Sequence, residues 1–184
     1  MRKNIRNLGL ALILGLIALP LTALAANNTP APELSPLAKK IRKELVTLPF
    51  YSVFDHFTYE LDGSKVTLRG EVTKPTLKTS AERVVERIEG VTAVDNRIEV
   101  LPLSNFDDRV RLGVWYAIYG HPSLDQYALR SVGPIHIVVN RGNVTLEGVV
   151  SREMDKNIAF LQANSVSGVF SVTNNLRVEN EPRT

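Results

Sequence analysis

No cysteine occurs anywhere in the 184 residues. That absence excludes a disulfide framework, thiolate metal sites and the lipid-modified cysteine that anchors a bacterial lipoprotein. Net charge is scarce too. Arg2, Lys3 and Arg6 account for the formal +3: without them the 22 Lys and Arg fall to 19 (22 − 3), against 19 Asp and Glu. A chain of zero net charge presents no global case for binding DNA or RNA, which need a concentrated basic surface. Histidine is sparse: His56, His121 and His136 are scattered, and two sit in strand patterns with no second ligand at i+2 or i+4. Neither a zinc site nor a histidine base is supported. No G-x-S-x-G elbow and no P-loop occur. Asp107-Asp108 opens a helix, where free N–H groups favour acidic side chains, and needs no catalytic explanation. The chain is therefore read as a non-enzyme without metal, cofactor or small-molecule substrate.

One long apolar run is present, Leu8 to Leu19, behind the basic start. Pro20 breaks it, and Ala23-Leu24-Ala25 places small residues where a signal peptidase inspects the chain, so residues 1–26 read as a signal peptide cleaved after Ala25 or Ala26. This implies a periplasmic or other extracytoplasmic location. An uncleaved anchor is the competing reading, because Leu8 to Ala26 is just long enough to span a bilayer. Residues 27–35, rich in proline and without apolar periodicity, are read as a flexible lead-in.

Beyond the lead-in, one pattern is written twice. Phe57 to Val72 (FTYELDGSKVTLRGEV) aligns with Ile135 to Val150 (IHIVVNRGNVTLEGVV) at an offset of 78. Downstream, Gly90, Val91, Val94, Asn96 and Val100 meet Gly168, Val169, Val172, Asn174 and Val178 at the same offset. A constant register from 57 to 100 marks two copies of one domain, over 36–102 and 107–180. In the first copy Pro36 suits the first turn of a helix whose apolar stripe is Leu37, Ile41, Leu45 and Leu48. Its other side carries Lys39, Lys40, Arg42 and Lys43, either a solvated face or a contact for an anionic surface. Phe57, Tyr59 and Leu61 alternate with polar residues as in a half-buried strand, Asp62-Gly63 makes a hairpin turn, and Val66, Leu68, Gly70 and Val72 face inward on the return. After Pro75, Ala81, Val84, Val85 and Ile88 mark a second helix, with Gly90 as its C′ residue. Val94, Ile98 and Val100 give a third strand. Gly70 and Gly148, at an inward position, are read as sites where the following helix approaches closely.

The second copy keeps this αββαβ order but changes its first helix. Val110, Val114, Ala117 and Ile118 form the core stripe, while Leu112, Trp115, Tyr116 and Tyr119 form a second apolar stripe on the opposite side. Each such side chain left in water forfeits about 1.5 to 3 kcal/mol, so this stripe is expected to be covered. The candidates are the other repeat, the long segment His121 to Pro134 folding back, or a membrane or protein partner. Contact between the repeats is also expected because units of this size bury too little surface alone.

The V-T-L-x-G-x-V strand (Val66 to Val72, Val144 to Val150) and the G-V-x-x-V-x-N stretch (Gly90 to Asn96, Gly168 to Asn174) resemble the BON domain family of bacterial periplasmic osmotic-stress and outer-membrane maintenance proteins. The resemblance implies an α+β sandwich, a three-stranded mixed sheet with two helices on one face, in each copy. It also implies a non-enzymatic role and, in some two-domain members, binding of anionic phospholipid. The absent lipobox cysteine and the two-sided helix of the second copy depart from the best-known lipid-binding member. The resulting expectation is a cell-envelope binding module that meets anionic phospholipid or an envelope partner and supports envelope integrity under stress. The alternative is a soluble periplasmic adaptor without lipid binding. Lys39, Lys40, Arg42, Lys43, Leu112, Trp115, Tyr116 and Tyr119 are the candidate contacts, and Gly70, Gly90, Asn96, Gly148, Gly168 and Asn174 the structural motif positions.

Overall fold

Ser35 opens the first described helix of the computed structural model, which describes residues 35–179. Its hydroxyl accepts from the Ala38 amide at 3.2 Å, and Pro36, with no amide to leave unpaired, takes the first position. The signal segment expected over 1–26 lies outside the described residues. All described residues fall within one compact unit, Ala31–Thr184.

The first repeat runs α1 (Pro36–Val46), β1 (His56–Asp62), β2 (Lys65–Val72), α2 (Pro75–Glu86), β3 (Ala93–Asn96) and β4 (Glu99–Val100). β1 pairs antiparallel with β2, while β3 and β4 both pair parallel with β2, as two pieces of one third strand. Ile41 and Leu45 of α1 and Leu77, Ala81 and Val85 of α2 share one core with Val66, Leu68 and Val72 of β2. Both helices therefore cover the same face of a mixed sheet.

The second repeat takes the same course: α3 (Asn105–Tyr119), β5 (Ile135–Asn140), β6 (Asn143–Val150), α4 (Glu153–Asn164), β7 (Ser171–Asn174) and β8 (Arg177–Val178). β5 pairs antiparallel with β6, and β7 and β8 pair parallel with it. The offset of 78 holds down to single hydrogen bonds. Asn96 Nδ2 donates to Lys78 O at 3.0 Å, and Asn174 Nδ2 donates to Lys156 O at 3.0 Å. Each Asn thus ties its third strand to the helix before it, and its Oδ1 accepts from the amide two residues on, Ile98 or Leu176.

Two glycine expectations need correction. Gly70 and Gly148 are not opened for the following helix. Both take strongly positive φ, 124° and 122°, and a Cβ would fall 2.0 Å from His56 O or 1.9 Å from Pro134 O. The obstacle is the backbone of the neighbouring strand, which only glycine lets come so near. Gly90 does not occupy the C′ position either: α2 closes at Arg87 and Gly90 sits in the turn three residues further on, as Gly168 does after α4 closes at Ser165.

The segment from His121 to Pro134 does fold back. It forms a short 3₁₀ helix, Asp125–Leu129, and buries Leu124 and Tyr127 in the second core. The Tyr127 hydroxyl donates to Asp155 at 2.7 Å and accepts from the Ser151 amide at 2.8 Å. In the first repeat the equivalent amide, Thr73, is taken by the buried Asp55 carboxylate at 2.7 Å. Different residues thus satisfy the equivalent backbone donor just past the second strand of each repeat.

Candidate functional site

Lys39, Lys40, Arg42 and Lys43 are all exposed on α1, opposite the buried Ala38, Ile41 and Leu45. Lys40 and Lys43 also border a shallow groove between α1 and α2, together with Val84, Arg87, Ile88 and the carboxylates of Glu44 and Glu89. Basic charge thus predominates along the α1 side of this groove.

The second stripe of α3 divides in two. Tyr119 is buried, its hydroxyl donating to Ile135 O at 2.7 Å while accepting from the Ile135 amide at 3.1 Å. Burial raises its pKa well above the ordinary phenol value. Trp115 is half-buried against the second core, its ring 6.0 Å from that of Tyr119 and edge-on to Tyr116 at 4.8 Å. Leu112 and Tyr116 stand 50% and 67% exposed. The fold itself therefore covers one end of the stripe and leaves the other to solvent.

The head of α3 carries a feature that composition does not show. Buried Asp107 accepts from the Arg141 and Gly142 amides at 3.0 and 2.8 Å, so its carboxylate holds the β5–β6 hairpin turn, while its own amide donates to the capping Ser104 hydroxyl at 3.1 Å. Arg111, also buried, donates to Val139 O at 2.7 Å and pairs with Asp108. These charges are structural cross-links from α3 to the hairpin.

Contact between the repeats is built by the loop between α1 and β1. Val53 O accepts from the Ile137 amide at 2.7 Å on the free edge of β5, and Val53 and Phe54 pack against the second core, the same cluster that Trp115 joins. Tyr51 stacks on Phe57 at 5.1 Å and approaches His136, with its hydroxyl 3.4 Å from Nε2. His56 faces His136 at 5.6 Å between rings and Glu147 at 3.8 Å. Burial, then the neighbouring His56, lowers the His136 pKa to about 4; the backbone of Asp55 and Ser52 and the Asp55 carboxylate pull the other way and are outweighed. Burial, followed by Arg177, lowers that of His56. Glu71, close to Glu99 and Glu147, is raised, chiefly by burial. Among the described residues no group of three or more His, Cys, Asp or Glu is arranged to hold a metal ion.

Sequence reasoning names the α1 and α3 faces but misses this seam. Its signal is Tyr51, Val53 and Phe54, apolar residues at no regular period in a loop that should be polar. No helix among the described residues is long and apolar enough to cross a membrane.

Two helix-covered mixed sheets, joined edge to loop, with exposed charged and aromatic faces, define a pair of small α+β binding modules. The BON domain signature matches residues 35–102 and again 123–180, and the chain belongs to the BON domain family. That family comprises non-catalytic, envelope-associated modules. The second match begins beyond α3, the helix that departs from the repeat. The chain is also similar to two solved structures of CdsD, the structural protein of the type III secretion system of Chlamydia trachomatis. Its C-terminal domain matches at 13% identity and a TM-score of 0.28, covering 79% of this chain and 98% of that one. The other structure matches at 13% and 0.27, covering 80% and 93%. No curated protein matches the sequence.

Proposed function

We propose that this protein is an exported, non-enzymatic module that docks on anionic phospholipid at the cell envelope and supports envelope integrity under stress. The carrying observation is the α1 face, where Lys39, Lys40, Arg42 and Lys43 are all exposed on one short helix. Four basic groups so close concentrate positive charge in a chain that past the basic start carries as many acidic as basic groups, and each basic group near anionic lipid contributes about 1 kcal/mol. Exposed Leu112 and Tyr116 add apolar surface of the kind that settles at a headgroup layer. The modules are assigned to 36–102 and 107–180, the second including α3 because its core residues Val110, Val114 and Ile118 complete that sheet's cover. Residues 1–26 direct export in this reading. Lys40→Gln and Lys43→Gln, made separately, are expected each to weaken sedimentation with phosphatidylglycerol vesicles about fivefold at low salt, the equivalent of 1 kcal/mol, without changing the melting temperature. Unchanged sedimentation in both would remove α1 from the contact and favour the soluble adaptor.

A further inference from the structure

We propose that Phe50 and Lys74 form a docking tip on the first repeat, in which the phenyl ring enters the headgroup layer of an anionic bilayer and the lysine ammonium pairs with lipid phosphate. The proposal deepens the lipid-binding reading above, on which it rests, by naming the residues that insert.

Phe50 has φ of +69°, a left-handed conformation that a side chain disfavours and that Gly or Asn takes readily. The fold demands the conformation. Leu48 must be buried beneath α1 and Tyr51 must turn to stack on Phe57, with the Tyr51 amide donating to Leu48 O at 3.2 Å, so Pro49 and Phe50 between them are both thrown outward. The fold does not demand a phenyl ring there. Phe50 is 73% exposed and absent from both cores. An apolar ring is thus held in water on a backbone that Asn would occupy with less strain, and an outlier of this kind points to use rather than to packing.

Charge identifies the occupant. Lys74 Nζ lies 4.6 Å from the centre of the Phe50 ring, and Lys74 is exposed at the N-cap of α2. The chain enters the tip from the last turn of α1, which carries Lys43. An aromatic ring beside an ammonium suits a bilayer interface, where the ring displaces water from the acyl boundary and the cation stays among phosphates.

The test uses the full chain with vesicles of phosphatidylcholine, with and without phosphatidylglycerol. Phe50→Asn is expected to melt at or above the wild-type temperature while partitioning onto anionic vesicles about tenfold more weakly. Phe50→Trp should partition at least as well as wild type. Lys74→Gln should weaken partitioning at low salt and have little effect at high salt. If Phe50→Asn partitions like wild type, or melts several degrees lower, the tip is refuted and Phe50 is a structural residue. Should wild type itself fail to partition, the tip and the lipid reading fall together; wild-type binding with an indifferent Phe50→Asn removes the tip alone.

Discussion

Gly148→Ala is expected to cost about 3 to 5 kcal/mol, the sum of a disallowed backbone conformation and an overlap that the sheet cannot relieve. At φ of +122° the new Cβ would lie 1.9 Å from Pro134 O, a backbone atom that is fixed because Ile135 beside it begins β5 and holds the Tyr119 hydroxyl. Either the β5–β6 ladder opens at that point or the strand end is displaced, and both disturb the core. Gly63→Ala is the internal control. Its φ of +58° is also positive, but nothing lies within 4 Å of the added atom, so only the left-handed cost of about 1 to 2 kcal/mol remains. Denaturant unfolding of the two variants checks the difference. Equal losses would show that conformation alone, and not the close backbone, requires glycine at 148.

Acidification is expected to weaken the seam between the repeats, and His136 should carry most of the effect. Its pKa is depressed from 6.5 to about 4, so the packed state prefers the neutral ring. The unfolded chain binds the extra proton first. The stabilisation is therefore complete above pH 6.5 and lost as pH falls toward 4. Between pH 7.5 and 5 this amounts to about 2 kcal/mol. His56, also depressed, acts in the same direction, whereas Glu71, raised chiefly by burial, opposes it by preferring its neutral form. Glu147, Glu99, Arg177, Asp55 and Tyr51 complete the ionisable surroundings of the pair. Replacing the ring in His136→Gln is expected to flatten the dependence of melting temperature on pH between 7.5 and 5. A variant that keeps the wild-type slope would place the titration elsewhere.

The repeat is legible in the sequence because its constraints are local and periodic. Alternation marks the inward residues of β2 and β6, and the constant offset puts Asn96 and Asn174 in equivalent positions, where they make the same bond to the preceding helix. Less legible are the places where the copies solve one problem differently. The amides of Thr73 and Ser151 are equivalent, but Asp55 satisfies one and Tyr127 the other, from loops of unlike sequence. The roles of Gly70 and Gly148 escape a sequence reading for a related reason: an inward glycine signals a close approach without saying what approaches. Long-range pairing across the seam leaves no period at all. Val53 meets Ile137 through backbone atoms, which carry no side-chain signature.

The candidate site is legible in part. Spacing places the basic face of α1 on the side opposite its core, and the structure leaves those four residues exposed. For α3, periodicity gives the second stripe but not its division into buried Tyr119, half-buried Trp115 and exposed Leu112 and Tyr116, because that depends on how the segment after the helix folds back. The absence of helical or strand period around Phe50 hides the exposed aromatic tip altogether.

Partitioning of the full wild-type chain onto vesicles, measured as the phosphatidylglycerol fraction is raised and then as salt is added, tests the central claim most directly. Binding through the α1 face predicts little association with phosphatidylcholine alone, steep growth with anionic fraction, and loss of most binding as salt shortens the screening length from about 10 Å toward 3 Å. Association that is absent at every anionic fraction, or equally strong on neutral vesicles and unaffected by salt, would contradict it.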